Sequence, residues 1–363
     1  MRFSLFSVLD YYDDGSRTLS TLYTQLLDQI VEADHLGFEA FWIGEHHGYL
    51  TPHLALACPN PALVLAAAAQ RTRRIGLNTA IANLSLRHPL LLAEDYALVD
   101  LLSQGRLGLG IGRGSYPHEF AAFGQNREES RYRFEESWEI IKQAWSGEPV
   151  TFQGRYYQID GVKLNVLPVQ KPLPRYWFSV MREESFVAQG RAAQPIIALP
   201  HLSAESLQML VKLSQVYQQG YFDAGGDTSQ YELPLIFFTC IAPTRSEAQQ
   251  RGREAMLRYI VHQHHGVDTH HAQQQVHVLE ERNQLWFGAP DDLIQWIEQH
   301  QAVLDNRHFV FWLDFGGMPS ASVQRSMCLL AHEVIPHFRG HPESYESHDR
   351  EQAFQESQSE HPA

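Results

Sequence analysis

The chain has 363 residues, 44% of them hydrophobic, and its 28 basic against 42 acidic side chains give a formal net charge of -14. That balance leaves no basic footprint for nucleic acid, and no apolar run approaches the length needed to cross a bilayer. Cys58, Cys240 and Cys328 are far apart and flanked by apolar residues, which argues against a disulfide framework or a zinc ribbon, and the opening MRFSLFSVL has no cleavage pattern of a leader. A cytoplasmic protein is the expectation.

Phe3–Leu9 reads as a strand, and Leu19–Leu36 as a helix with Leu22, Leu26, Gln29, Ile30 and Ala33 on one stripe, closed by Gly37. Phe38–Gly44 is the second strand, Pro61–Arg71 an alanine-rich helix, Ile75–Ile81 the third strand, Pro89–Leu102 a helix and Arg106–Ile111 the fourth strand. Four βα units in a row, without the GxGxxG turn that opens a dinucleotide-binding sheet, favour a barrel. Tyr176–Val180, Pro195–Leu199, Leu235–Ile241 and His308–Asp314 complete eight strands, so the fold expected is α/β, an eight-stranded (β/α)8 TIM barrel.

Two spacers are too long for simple connections. After the fourth strand, Glu128–Trp145 is an amphipathic helix and Val150–Leu167 a hairpin with turns at Gly154 and Asp160-Gly161. After the seventh, residues 242–307 hold a helix from Ser246 to about Val261, a polar stretch rich in His and Gln, and a helix opening at Pro290-Asp291. Such βα insertions cover the active face of a barrel. The barrel is expected to occupy 1–340, and the acidic, nearly apolar-free segment 341–363 reads as a disordered tail.

Two motifs carry chemistry. The apolar run Phe41-Trp42-Ile43 ends on Glu45-His46-His47, an acid and two imidazoles at the C-terminal end of a buried strand, where an α/β barrel places its reactive groups. Neighbouring strand residues face opposite ways, so no metal site is expected from the two imidazoles, and His47 reads as a packed residue. Gly110-Ile111-Gly112-Arg113-Gly114-Ser115-Tyr116 closes the fourth strand: glycines admit close approach of a ligand to the backbone, and an arginine there suits a phosphate, although a Gly-rich turn by itself also serves as a sharp corner. The His-rich segment 262–277 lacks ligand spacing and reads as a solvated loop.

GFEAFWIGEHH, RHPLLLAEDYALVDLLSQGRLGLGIGRGSYPHEFAAFG, FQGRYYQIDGVKLNVLPVQKPLPRYWFSV and FGGMPSASVQRSM with HEVIPHFR resemble the bacterial luciferase-like flavin monooxygenase family from the first strand to about Arg339. The resemblance implies a homodimer packed through helices near the second and third strands. It also implies reduced FMN delivered by a separate reductase, and O2 as co-substrate. Oxidation of a small organic molecule, for example an aldehyde to a carboxylic acid, would proceed through a flavin 4a-hydroperoxide. In that alignment His46 handles protons, Glu45 orients it or bonds near the cofactor, and Tyr116 borders the substrate cavity. Arg113 takes the flavin phosphate beside Gly112, and Ala80-Ile81 is a non-prolyl cis peptide under the flavin ring. Gly112 stands where bacterial luciferase has a reactive cysteine, so thiol chemistry is not implied. Ser179, Arg182 and Ser185 offer further phosphate contacts or simply open a helix, and Phe6, Leu9, Tyr116 and Phe178 are expected to shape the pocket. A deazaflavin-dependent hydride-transfer enzyme and a non-catalytic flavin-binding subunit are the alternatives on the same fold.

Overall fold

A computed structural model describes residues 1–263 and 267–339. Eight parallel strands close on themselves: β1 (Arg2–Ser7), β2 (Ala40–Ile43), β3 (Gly76–Asn83), β4 (Leu107–Gly112), β5 (Arg175–Val180), β6 (Ile196–Ala198), β7 (Leu235–Ile241) and β8 (His308–Trp312). The register runs Phe3 to Phe309, Leu5 to Phe41, Phe41 to Leu77, Leu77 to Leu107 and Leu109 to Tyr176, and the seam is sealed by the pairing of Ala198 with Leu235. All seven residues of β7, LIFFTCI, are buried, because helices cover one face of the sheet and side chains fill the other. Each of the eight expected strands is present, with ends shifted by up to two residues.

The barrel's lower end is plugged by polar and aromatic groups. Glu232 accepts hydrogen bonds from Arg2 (2.5 Å), Arg175 (2.7 Å), the Trp177 indole (3.0 Å) and His308 Nδ1 (3.1 Å), while His308 Nε2 meets Ser4 Oγ at 2.7 Å. Above this layer Trp42 packs edge-on to Trp177 at 4.8 Å. The alternation LGLGIG in β4 follows from crowding: a Cβ at Gly108 would strike the Asn78 amide and Trp177, and one at Gly110 would strike the Thr79 carbonyl. Glycine is required there because neighbouring groups already fill the space.

The insertions follow strands four and seven, as expected, with several corrections inside them. After β4 come a short helix Pro117–Ala122, the helix Ser130–Trp145 and the hairpin Val150–Gln153 with Gln158–Val162. Gly161 sits within the second hairpin strand at φ 64°, so Asp160-Gly161 is an irregularity of the ladder and Gly154 alone lies in the turn. After β7 a helix spans Arg245–Gln263, but part of the His-rich stretch is a second helix, Thr269–Glu281, capped by the Asp268 carboxylate on the His271 N–H at 2.8 Å. Only Ala272 and Val276 of that helix are buried, one turn apart, and so narrow a stripe is lost among polar residues. Leu285–Gly288 is an additional short strand paired in parallel with β7. The rim also carries an unexpected three-stranded sheet of Asp10–Tyr12, Leu54–Leu56 and Tyr49–Thr51. The expected tail from 341 lies outside the described residues.

Candidate active site

The C-terminal ends of the strands surround a cavity of about 460 Å³ lined by residues from every part of the barrel mouth. β2 releases Glu45, His46 and His47 into this rim. The backbone N–H of His46 donates to the Cys58 carbonyl at 3.0 Å, which fixes the turn, and the imidazole is left facing the cavity with 22% of its side chain exposed.

Glu45 does not orient His46. Its carboxylate is buried, accepting from the Asn83 N–H at 3.0 Å and meeting His47 Nε2 at 3.2 Å, so it ties the β2 turn to β3. His47, as expected of a packed residue, places its ring edge against Phe123 at 4.7 Å. The carboxylate that holds His46 is Glu119, 2% exposed, on the helix Pro117–Ala122. Glu119 Oε1 lies 3.1 Å from His46 Nδ1 and also accepts the His47 N–H at 3.0 Å. Burial alone would raise the Glu119 carboxyl, but its hydrogen bond to His46, the charge of that ring and the His47 N–H together bring it below the ordinary value. An ionised Glu119 accepts only, so Nδ1 of His46 is the donor between them and Nε2 is the ring nitrogen that the carboxylate leaves free. The signal for Glu119 is Pro117 opening a helix with an acid in its first turn, yet nothing in that spacing names its partner.

Tyr116 caps the same helix, and its ring lies edge-on to His46 at 5.2 Å. Burial raises its hydroxyl, partly offset by a hydrogen bond with Gln263 of the covering helix. Gly112, Arg113, Ser179, Arg182 and Ser185 line the same cavity from the β4 and β5 side, although they leave two different strands. Gly112 touches Ile81, where a Cβ would come within 2.7 Å, and Gly114 turns at φ 74° against the Asn83 amide, which leaves Arg113 exposed at the mouth. Arg182 precedes the helix Glu183–Arg191, whose first-turn Glu183 pairs outward with Lys212 at 3.2 Å. This loop is therefore both a helix start and part of the cavity wall, and it puts Arg182 and Ser185 on the same wall as Arg113, donors of the kind that suit an anion. Between β2 and β4 runs β3, and the Ala80-Ile81 peptide in the cavity wall is cis.

Phe6 and Tyr116 line the cavity as expected, whereas Leu9 and Phe178 do not. Leu9 is buried at φ 53° with its N–H on Ser7 Oγ, and Phe178 turns outward onto Phe134 and Trp138. Sequence reasoning passed over His201, Tyr259, Gln263 and Trp312, which lie on the remaining wall. The donor set on the β4 and β5 side suits the phosphate of a flavin nucleotide, and the His46–Glu119 pair suits proton transfer, so the cavity fits such a group.

A model of the luciferase-like monooxygenases matches residues 1–303. The chain belongs to this family. Among luciferase-like relatives, it is 29% identical over 267 residues to the oxygenase component of a flavin-dependent trigonelline monooxygenase from Acinetobacter baylyi, covering 71% of this chain and 70% of that one. It is also 31% identical over 157 residues to an F420-dependent glucose-6-phosphate dehydrogenase from Amycolatopsis mediterranei, covering 42% and 46%. The matches thus span between 46% and 70% of these relatives' own lengths. The structure of the monooxygenase RslO1 from Streptomyces bottropensis superposes with a TM-score of 0.82 at 26% identity, covering 93% of this chain and all of that one. No helix among the described residues is long and apolar enough to cross a membrane.

Proposed function

We propose that this luciferase-like chain is the oxygenase component of a two-component system. It takes reduced FMN from a separate reductase and, with O2, oxidises a small uncharged organic substrate, aldehydes being among the compounds to test. The observation that carries this reading is a single cavity lined by Arg113, Ser179, Arg182 and Ser185 from β4 and β5 and by the Glu119-held His46 from β2. Reduced flavin, when bound, supplies the electrons that activate oxygen. Arg113 and Arg182 grip the phosphate by charge-assisted hydrogen bonds, with the Ser179 and Ser185 hydroxyls completing its shell. The wall formed by Ala80 and Ile81 supports the ring. His46 takes or delivers a proton at Nε2, and Glu119 stabilises the charged ring that results, as a buried carboxylate does for a catalytic imidazole. Tyr259 and Gln263, on the helix Arg245–Gln263, shield the site from water.

The F420-dependent relative keeps hydride transfer as the second reading, and exposed Arg127, which lines the same cavity as Arg113 and Arg182, adds a cation for a longer anionic tail. The intact His46–Glu119 pair speaks against a non-catalytic subunit. Anaerobic titration with photoreduced FMN and with reduced F420 separates the two: tight FMN binding and oxygen-dependent turnover support the proposal, and binding of F420 alone refutes it.

The reading includes a homodimer. Leu91, Leu98, Leu101 and Leu102 on the helix Pro89–Leu102 and Leu63 on Pro61–Arg71 are exposed on the helices after β2 and β3, an apolar surface a monomer would leave in water. It also includes a cytoplasmic location, in keeping with three free cysteines.

A further inference from the structure

In a closed eight-stranded barrel the second and sixth strands stand opposite each other, so His46, after β2, faces the loop after β6 across the mouth. That loop holds His201, on the short helix Pro200–Ser203. Arg113 and Arg182 line the side of β4 and β5. The remaining half of the cavity, above β6, β7, β8 and β1, is walled by Ile197, Leu199, Ile236, Trp312, Phe6 and Tyr259. Its aromatic rings interlock: Trp312 stacks on Phe238 at 4.3 Å and meets Phe6 edge-on at 5.0 Å, Tyr259 meets Trp312 at 5.6 Å, and His201 leans on Phe238 at 4.7 Å.

Among the described residues no carboxylate, lysine or arginine lines this half. Its ionisable groups are His201, which burial lowers to about 4, and Tyr259, whose hydroxyl burial raises well above its ordinary value, so both are uncharged at neutral pH. Burial is what lowers His201, no hydrogen bond to its ring is present among the described residues, and the ring borders the cavity. A polar group turned toward an apolar chamber without a protein partner costs free energy unless a ligand or water satisfies it. A charged ligand would have no counter-charge here and would be strongly disfavoured.

We propose that His201 is the hydrogen-bonding anchor of the substrate, and that the substrate is an uncharged, mainly apolar molecule carrying one oxygen function that His201 reads opposite His46. This rests on the monooxygenase reading for the word substrate, but its test does not need turnover. The wild-type protein and the variants His201→Phe and His201→Gln are titrated calorimetrically with three probes: a bicyclic terpene ketone, its parent hydrocarbon and the zwitterion trigonelline. FMN binding is recorded on the same samples by flavin fluorescence, and folding by thermal unfolding. The wild type is expected to prefer the ketone. His201→Phe should weaken ketone binding about tenfold while leaving the hydrocarbon and FMN within about twofold, and His201→Gln, which keeps a donor and an acceptor, should recover most of the loss. The proposal is overturned if the wild type binds trigonelline or the hydrocarbon as tightly as the ketone, if it binds none of the three, or if His201→Phe binds the ketone unchanged. Failure of FMN binding with the ketone preference intact would instead sink the cofactor assignment and spare His201.

Discussion

Replacing Glu119 by Gln tests whether the buried carboxylate acts on the chemistry through His46. Glutamine keeps the length and an acceptor oxygen, so the bond from the His47 N–H (3.0 Å) survives, while the charge opposite His46 Nδ1 (3.1 Å) is lost. Glu119 is 2% exposed and His46 22%, so solvent screens the pair little. A hydrogen bond to a charged partner contributes about 1.5–3 kcal/mol against about 1 kcal/mol for a neutral one. Removing the charge should therefore cost the state with a protonated ring about 1–2 kcal/mol, a fall of about five- to thirtyfold in any step limited by proton transfer at His46. Single-turnover oxidation after anaerobic loading with reduced flavin is the assay. The fall should appear in the oxidation rate with a larger solvent isotope effect, while reduced-flavin affinity and unfolding temperature stay near the wild type, and Glu119→Asp should recover part of the rate. An unchanged rate, or a loss explained wholly by weaker flavin binding, would refute the assignment.

Arg113→Met should weaken reduced FMN binding about ten- to a hundredfold, as expected for loss of a charge-assisted phosphate contact, with little change in stability because Arg113 is exposed; fluorescence titration and thermal unfolding check both. Glu232, though burial opposes its charge, is lowered to about 2 by His308, Arg175 and Arg2. Its contribution is therefore present above the unfolded value near 4.5 and lost as pH falls toward 2, about 3 kcal/mol in urea unfolding across that range, and Glu232→Gln should flatten the slope. Asp314 behaves with the opposite sign: burial, then the neighbouring Asp10 charge, raise it to about 7, so its stabilisation is complete below 3.8 and lost as pH rises through 7. Asp314→Asn should gain on the wild type by about 3 kcal/mol between pH 5 and pH 8, and a constant difference would contradict the raised value. Leu98→Lys with Leu102→Lys should turn a dimer into a monomer by light scattering; a dimer that persists would place the interface elsewhere.

The alternation of buried apolar runs with capped helices is sufficient to name all eight strands, because each run must be covered on both faces and most are bounded locally by Gly or Pro. The same local logic placed His46 and Arg113 at strand ends, hence at the barrel mouth, and Ala80-Ile81 followed from resemblance. What sequence could not supply was partnership. The resemblance offers Glu45 as orienting His46 or bonding near the cofactor, yet adjacent strand residues diverge, and barrel closure brings Glu119 from 73 positions away to hold the imidazole. Leu9 and Phe178 are apolar residues near strand ends, yet Leu9 turns away at φ 53° just past β1, and Phe178, one step along β5 from the cavity-lining Ser179, faces Phe134 and Trp138. The helix Thr269–Glu281 and the strand Leu285–Gly288 owe their form to contacts with Arg245–Gln263 and β7, which a short polar stretch does not announce. His201 carried no local signal at all: only a closed ring of eight strands sets the sixth opposite the second, and so decides which imidazoles face each other across one cavity.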